Sequence, residues 1–239
     1  MAQTYIGAPI TRKEDVRFLT GKATFTDDVK AQHLLHAAVL RSPHAHARIK
    51  SIDTSKAEAM PGVGAVVTGK DLPETIDEPG MDRKITLGEL STDLKYLREG
   101  LLARDKVVYK GHPVAAVAAV SAHVAEEATK IIEVDYEVLP EVTNVLDAMK
   151  DDAPILHEDL ETVELGEKTG KNSNIADHFR NRLGDLEKGF AEADFIVERE
   201  FTTATVHQGY IEPHNCTVHW SKDGRVYIWN STQGPFDVR

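Results

Sequence analysis

Up to Pro140, apolar side chains recur in two rhythms. Residues 34–40 form a compact apolar run with the character of a buried strand, and residues 47–52 alternate as a half-buried strand does. A hairpin or a crossover pair is the expected relation between them. Asp53, Thr54 and Ser55 offer capping side chains to a short helix over residues 56–60, which Pro61 and Gly62 end before the β-branched run 63–68. The order then returns, with a strand at 106–109, a turn at 110–113, the apolar run 114–120 and a helix capped by Ser121. Val124, Ala128, Ile131 and Ile132 give that helix an apolar face at the 3.6-residue period, and residues 133–138 resume alternation. Two strand-helix-strand units predict a mixed fold. Between them, residues 73–101 are rich in charges, Gly and Pro, with weak periodicity, and read as an irregular surface excursion.

Residues 140–182 turn polar, with Asp151-Asp152, Glu158-Asp159 and a Gly, Lys, Asn and Ser stretch at 166–174, which predicts a linker-like boundary. Regularity resumes with a short helix near 186–193 and a strand at 195–203. A hairpin follows, in which Lys222-Asp223-Gly224 joins residues 216–220 to 226–229. So few strands at the end of the chain leave a sheet with little to cover it, so a partner is expected to complete it.

The chain has 239 residues, enough for one large domain or two smaller ones, and the polar break favours two. With 41% hydrophobic and 28% charged residues, the composition is that of a folded soluble protein. A net charge of -11, with no basic patch, excludes a nucleic-acid backbone as the expected partner. No apolar run approaches the roughly 20 residues of a membrane helix, and residues 1–15 lack a signal-peptide pattern, so a cytoplasmic location is the expectation. The only cysteine, Cys216, can form neither an internal disulfide nor an iron-sulfur cluster within the chain, so any such centre belongs elsewhere.

Several residue patterns invite chemical readings. Residues 64–70 spell Gly-x-x-x-x-Gly-Lys, the skeleton of a phosphate-cradling loop. The intervening residues have strand character, however, and Asp71 stands where a magnesium-binding hydroxyl would be needed. His44 and His46 fall on one strand face without a third ligand, and read as surface or partner-facing histidines. His207, Glu212 and His214 could converge as a two-histidine, one-carboxylate set, though their spacing matches no compact metal motif. Glu212 suits either a general base or a carboxylate that orders its loop through backbone hydrogen bonds. No Gly-x-Ser-x-Gly elbow is present, and Cys216, in a strand-like run, is expected to be a buried, inert thiol.

A set of ordered motifs adds a resemblance. Ile6-Gly7, Arg12-Lys13-Glu14-Asp15 and the stretch from Leu19-Thr20-Gly21-Lys22 to Thr26-Asp27-Asp28 are similar to the opening of a large subunit in the xanthine dehydrogenase and aldehyde oxidase family. Arg41-Ser42-Pro43-His44-Ala45-His46-Ala47, Pro61-Gly62-Val63, Thr68-Gly69-Lys70-Asp71, Gly111-His112-Pro113-Val114-Ala115 and Val134-Asp135-Tyr136-Glu137 continue the match in order. His207-Gln208-Gly209-Tyr210-Ile211-Glu212-Pro213-His214 and Ser231-Thr232-Gln233-Gly234-Pro235-Phe236 complete it, so the resemblance spans almost the whole chain. By resemblance, the Gln208-Gly209-Tyr210 spelling leans away from the eukaryotic purine oxidases.

The resemblance implies an α+β protein, with an α/β hammerhead domain followed by an incomplete mixed α/β molybdopterin-binding domain. The expected limits are an N-terminal arm at 1–19, the hammerhead at 20–135, the linker-like segment at 136–182, and the start of the molybdopterin-binding domain at 183–239. It also implies a molybdenum-pterin cofactor, iron-sulfur clusters and FAD on partner subunits, and a small-molecule substrate oxidised at carbon with water-derived oxygen. Gln233 is then expected beside the molybdenum, hydrogen-bonded to its oxo ligand, with Gly234 also at the cofactor. A loop amide that ties down backbone is the plainer role for the same glutamine. The family's Gly-Gly-Phe-Gly-Gly cradle and catalytic glutamate lie past Arg239. The expectation is therefore a truncated or split subunit that a second chain must complete, with a non-catalytic interaction or assembly module as the alternative.

Overall fold

A computed structural model describes residues 6–72, 84–87, 90–207 and 209–238. The chain divides into two compact units, one of residues 35–201 and one combining 1–34 with 202–239. The short helix α1 (Asp15–Leu19) belongs to the second of these.

The larger unit begins with β1 (His36–Arg41), β2 (Ala47–Asp53), helix α2 (Ser55–Glu58) and β3 (Val63–Thr68). After the hairpin β4 (Lys84–Leu87) and β5 (Leu90–Asp93) come helix α3 (Leu94–Leu101), β6 (Lys106–Val107), β7 (Pro113–Ala119), helix α4 (Ala122–Lys130) and β8 (Glu133–Val138). These strands build two three-stranded antiparallel sheets, ordered β1-β7-β3 and β6-β2-β8. Each strand-helix-strand unit therefore crosses between sheets: β2-α2-β3 leaves the second sheet for the first, and β7-α4-β8 returns.

The hairpin or crossover pairing expected between β1 and β2 does not form. β7 is apolar on both faces and takes the centre of its sheet, with β1 and β3 on either side, where Val114, Ala115, Val117 and Ala119 are buried and Ala116 and Ala118 half-buried. The turn after β1 is held instead to the turn before β7, where Ser42 N–H donates to His112 O at 2.9 Å and Gly111 N–H to Ser42 O at 2.9 Å.

Two clusters make the core. Ala57, Ala115, Val117, Ala128 and Ile132 form one, and Ala47, Ala103, Val107 and Val114 the other, while Ile52 and Val134 pack against both. Alanines let helix and sheet approach closely, and each fully buried valine adds about 1.5–3 kcal/mol. On α4 the buried positions are Ala125 and Ala128, followed by Ile132, whereas Ile131 is 38% exposed, so the apolar face is turned from the one expected. Ser121 caps this helix by accepting from Val124 N–H at 3.2 Å. Gly62, at φ +92°, makes the turn into β3, and its carbonyl accepts from Val120 N–H at 2.9 Å.

Two stretches expected to be irregular hold regular elements among the described residues. In the 73–101 excursion the described part is the β4-β5 hairpin and α3, while residues 73–83 and 88–89 lie outside the described residues. The linker-like stretch holds helix α5 (Val145–Ala148) and a sheet in the order β10-β9-β11, from β9 (Glu161–Glu164), β10 (Glu167–Asn172) and β11 (Asp177–His178). Asn174 fastens it, since its Oδ1 accepts from Leu156 N–H at 2.9 Å and its Nδ2 donates to Ala148 O at 3.1 Å and Pro154 O at 2.9 Å. Such order rests on amide bonds and leaves no hydrophobic period to read.

Helix α6 (Leu186–Ala191) follows, capped by Asp185, which accepts from Lys188 N–H at 3.1 Å. The strand expected at 195–203 does not form, and the segment joins no ladder, with Phe195 91% and Phe201 86% exposed. Its apolar residues have the right composition, but among the described residues no strand pairs with them.

In the smaller unit, a 3-10 turn (Thr26–Asp28) precedes the hairpin of β12 (Cys216–Trp220) and β13 (Val226–Asn230), which runs in register from Cys216↔Asn230 to Trp220↔Val226. Helix α7 (Pro235–Val238) closes the described chain. Both faces of the hairpin carry exposed apolar side chains, among them Val218, Trp220, Ile228 and Trp229.

Candidate functional site

The Ser231-Thr232-Gln233-Gly234 loop follows β13 directly. Ser231 N–H donates to Asn215 O at 3.0 Å, Asn215 N–H donates to Ser231 Oγ at 3.0 Å, and the Ser231 hydroxyl donates to Pro213 O at 3.1 Å. These bonds lie one step beyond the last ladder pair, Cys216↔Asn230, and bring the two motifs that flank the hairpin side by side. Thr232 Oγ1 accepts from Gly234 N–H at 3.1 Å and shapes the bend at Gln233, after which Val238 N–H donates to Gly234 O at 3.2 Å and opens α7. Gln233 is exposed and Gly234 half-buried.

The other candidates separate by environment. His46 is 5% exposed and donates from Nδ1 to Pro140 O at 2.6 Å, so it is a buried histidine rather than a surface one. His44 is half-buried and packs edge-on against Tyr136 at 5.1 Å. Residues 64–70 complete β3 and a turn in which Asp71 accepts from Thr68 N–H at 2.7 Å and Thr68 Oγ1 at 2.8 Å. A carboxylate fills the position where a phosphate cradle would present amides. Tyr210 lies between His207 and His214, with ring centroids at 5.4 and 4.8 Å. Among the described residues no group of three or more His, Cys, Asp or Glu gathers as a metal set, and Glu212 stays exposed beside Pro213. Gln208 lies outside the described residues. Cys216 is exposed, against the expectation of burial, because the hairpin that carries it is uncovered.

The sequence reading did not single out Asn215 or the role of Ser231. Asn215 directly follows the Glu212-Pro213-His214 motif, and its side-chain amide also donates to Asp27 Oδ1 at 2.9 Å, within the Thr26-Asp27-Asp28 motif. An amide immediately after that motif is the one signal in the sequence that could have pointed to it.

The chain belongs to the aldehyde oxidase and xanthine dehydrogenase family: residues 20–140 match its a/b hammerhead domain, and residues 167–239 match a molybdopterin cofactor-binding domain. The carbon monoxide dehydrogenase large chain of Afipia carboxidovorans is 37% identical over 238 residues, which is 98% of this chain and 28% of that one. The 6-hydroxypseudooxynicotine dehydrogenase complex subunit gamma of Paenarthrobacter nicotinovorans is 34% identical over 236 residues, covering 96% of this chain and 27% of its own length. The structure of reconstituted CO dehydrogenase from Oligotropha carboxidovorans superposes with a TM-score of 0.77 at 36% identity, over 97% of this chain and 28% of that one. The chain thus spans about a quarter of the length of the relatives it matches. Among the described residues, no helix is long and apolar enough to cross a membrane.

A molybdenum held by its pterin would ask of a neighbouring loop a neutral hydrogen-bond donor rather than a metal ligand. Gln233 offers that chemistry on exposed backbone that Ser231 and Thr232 hold in place, so the residues present fit the group.

Proposed function

We propose that this chain forms one wall of the active site of a molybdenum hydroxylase, an oxidoreductase that oxidises a carbon centre of a small molecule with water-derived oxygen. Gln233 is the residue we assign to the molybdenum, as a hydrogen-bond donor to its oxo ligand, with Gly234 beside the cofactor. The observation that carries this reading is the match of residues 167–239 to a molybdopterin cofactor-binding domain, within which the Ser-Thr-Gln-Gly loop is exposed and fastened. When bound, the molybdenum centre supplies the redox chemistry, and iron-sulfur and FAD subunits carry the electrons away. The chain's own part is to present the Gln233 amide, to leave room beside it for substrate, and to support the cofactor face with the Glu212 to Asn215 segment.

The hammerhead is assigned to 20–135 and the start of the cofactor-binding domain to 183–239, in a cytoplasmic heteromer. The remainder of the molybdopterin-binding subunit supplies the cofactor cradle and the catalytic base. The uncovered apolar faces of β12 and β13 support further protein packed against them.

Co-purification of the tagged chain from its native host, with metal analysis and mass spectrometry of the bound chains, tests this. Stoichiometric molybdenum should appear only together with the chain or segment that carries the rest of the subunit. A full complement of molybdenum, with hydroxylase activity, in the 239-residue chain alone would refute the shared site.

A further inference from the structure

Three motifs widely separated in the sequence meet in one hydrogen-bonded series within the smaller unit. The Asp27 carboxylate accepts from the Asn215 side-chain amide at 2.9 Å, across 188 positions of sequence. Asn215 and Ser231 then exchange bonds in both directions, backbone N–H to Oγ at 3.0 Å and backbone N–H to carbonyl at 3.0 Å, and the Ser231 hydroxyl continues to Pro213 O at 3.1 Å. Gln233 stands two residues beyond Ser231, at a bend closed by Thr232 Oγ1.

This arrangement exceeds what the hairpin itself requires. The β12-β13 ladder is complete at Cys216↔Asn230, and its turn is closed separately by Ser221 N–H to Arg225 O at 2.8 Å. Asn215 and Ser231 are half-buried; the Ser231 hydroxyl spends its bonds on the backbone of the segment after Glu212, at Asn215 N–H and Pro213 O, while the Asn215 side-chain amide goes to Asp27. A two-stranded hairpin is marginal on its own, and a loop leaving it would otherwise sample many positions. A hydrogen bond to a metal's oxo ligand is effective only when the donor is held within a fraction of an ångström.

We infer that Asp27, Asn215 and Ser231 are positioning residues that lock the loop carrying Gln233 onto the 213–215 segment and so set where its amide meets the molybdenum centre. The inference rests on the assignment of Gln233 above. Ser231 acts directly on the loop, Asn215 couples it to the neighbouring segment, and Asp27 anchors Asn215 from the N-terminal turn. None of the three touches the reacting atoms, so their effect passes through the placement of Gln233.

The test uses the assembled holoenzyme, reduced with dithionite, and reads the Mo(V) electron paramagnetic resonance spectrum alongside molybdenum content. Gln233→Ala sets the reference shift in g-values. Ser231→Ala is expected to shift the spectrum in the same direction at unchanged molybdenum content, and Ser231→Thr, which keeps the hydroxyl, to restore it. Asp27→Ala, at the exposed far end, should give a smaller shift of the same sign, and it serves if Ser231→Ala does not fold. In the chain itself, the Asn215 amide should exchange about tenfold faster in Ser231→Ala, while the amides of the β12-β13 ladder keep their protection.

A native spectrum in Ser231→Ala and Asp27→Ala, with Gln233→Ala shifted, overturns the positioning role and leaves the Gln233 assignment standing. Loss of molybdenum in Ser231→Ala with a native spectrum for the metal that remains also overturns it, since the serine would then be structural only. No shift in Gln233→Ala itself overturns the assignment of that glutamine, and the positioning role falls with it.

Discussion

His112 donates from Nε2 to the carbonyl of Glu99 at 2.8 Å, while its Nδ1 accepts from Val108 N–H at 3.2 Å. The two bonds leave one tautomer, the neutral ring, which is 2% exposed and stacks on Tyr109 at 4.4 Å. Burial pushes its pKa below the ordinary 6.5, the carbonyl and carboxylate of Glu99 pull it back, and His157 pushes it down again. Burial likewise lowers His157, whose ring packs edge-on against Tyr96 of α3 at 5.1 Å.

The sign follows from where the proton binds. With the folded pKa depressed, the unfolded chain takes up more protons as pH falls past 6.5, so the stability present above that value is lost below it. Urea denaturation should give a constant unfolding free energy above about pH 7 and a fall of up to about 1.4 kcal/mol per pH unit from His112 below about 6.5. His112→Asn should be less stable at neutral pH and flatter between about pH 7 and 5. A wild-type stability that is level down to about pH 5 would contradict this.

Gly69 is held against the backbone of the segment before β6. A Cβ at this position would lie 2.6 Å from the carbonyl oxygen of Ala103, a residue that is 1% exposed. Backbone cannot swing aside as a side chain can, so Gly69→Ala should cost about 1–3 kcal/mol in chemical denaturation. Gly100, in α3, has nothing within 4 Å of the same position, and Gly100→Ala should be neutral or stabilising by up to about 1 kcal/mol. Equal effects at the two sites would show that the close approach is not what matters.

Asn174 carries three bonds to the main chain, and alanine there leaves Leu156 N–H and two carbonyls without it. A loss of about 2 kcal/mol is expected, with hydrogen exchange rising first in α5 and the β10-β9-β11 sheet. Asn174→Asp keeps the acceptor and forfeits both donors, so it should recover only part of the loss.

Cys216 should react with one equivalent of a thiol reagent in the native chain, without denaturant, because its strand is exposed. In the assembled holoenzyme it should be protected, since the partner proposed above covers that hairpin. A thiol that stays inert until urea is added would mean that β12 is already buried in the chain alone.

Much of the hammerhead was legible because its signals are local. Val63–Thr68 and the Ser121 cap fall where the β-branched run and the capping hydroxyl put them, and Asp223-Gly224 turns the last hairpin as its type demands. What the pattern did not reveal was pairing: β1 and β2 look like hairpin partners in sequence, yet the two-sided apolar character of β7 draws β1 away. Order in the polar 140–182 stretch was hidden because Asn174 works through amide bonds rather than through buried carbon. At the site, Gln233 was visible only through the family resemblance. Asn215 and Ser231 needed coordinates, since a hydrogen bond across 16 positions leaves no period in a sequence.

The crossing of each strand-helix-strand unit between sheets has a consequence for synthesis. Among the described residues, β1 and β3 have their partner only in β7, and β2 only in β6 and β8. As the chain leaves the ribosome from its N-terminus, every strand up to Thr68 must wait for residues past Lys106 before its first ladder can close. At about 5–20 residues per second, that is a delay of some seconds during which apolar strands are unpaired. The nascent chain is therefore open to holdase chaperones until residue 138 has emerged, when both sheets can close together.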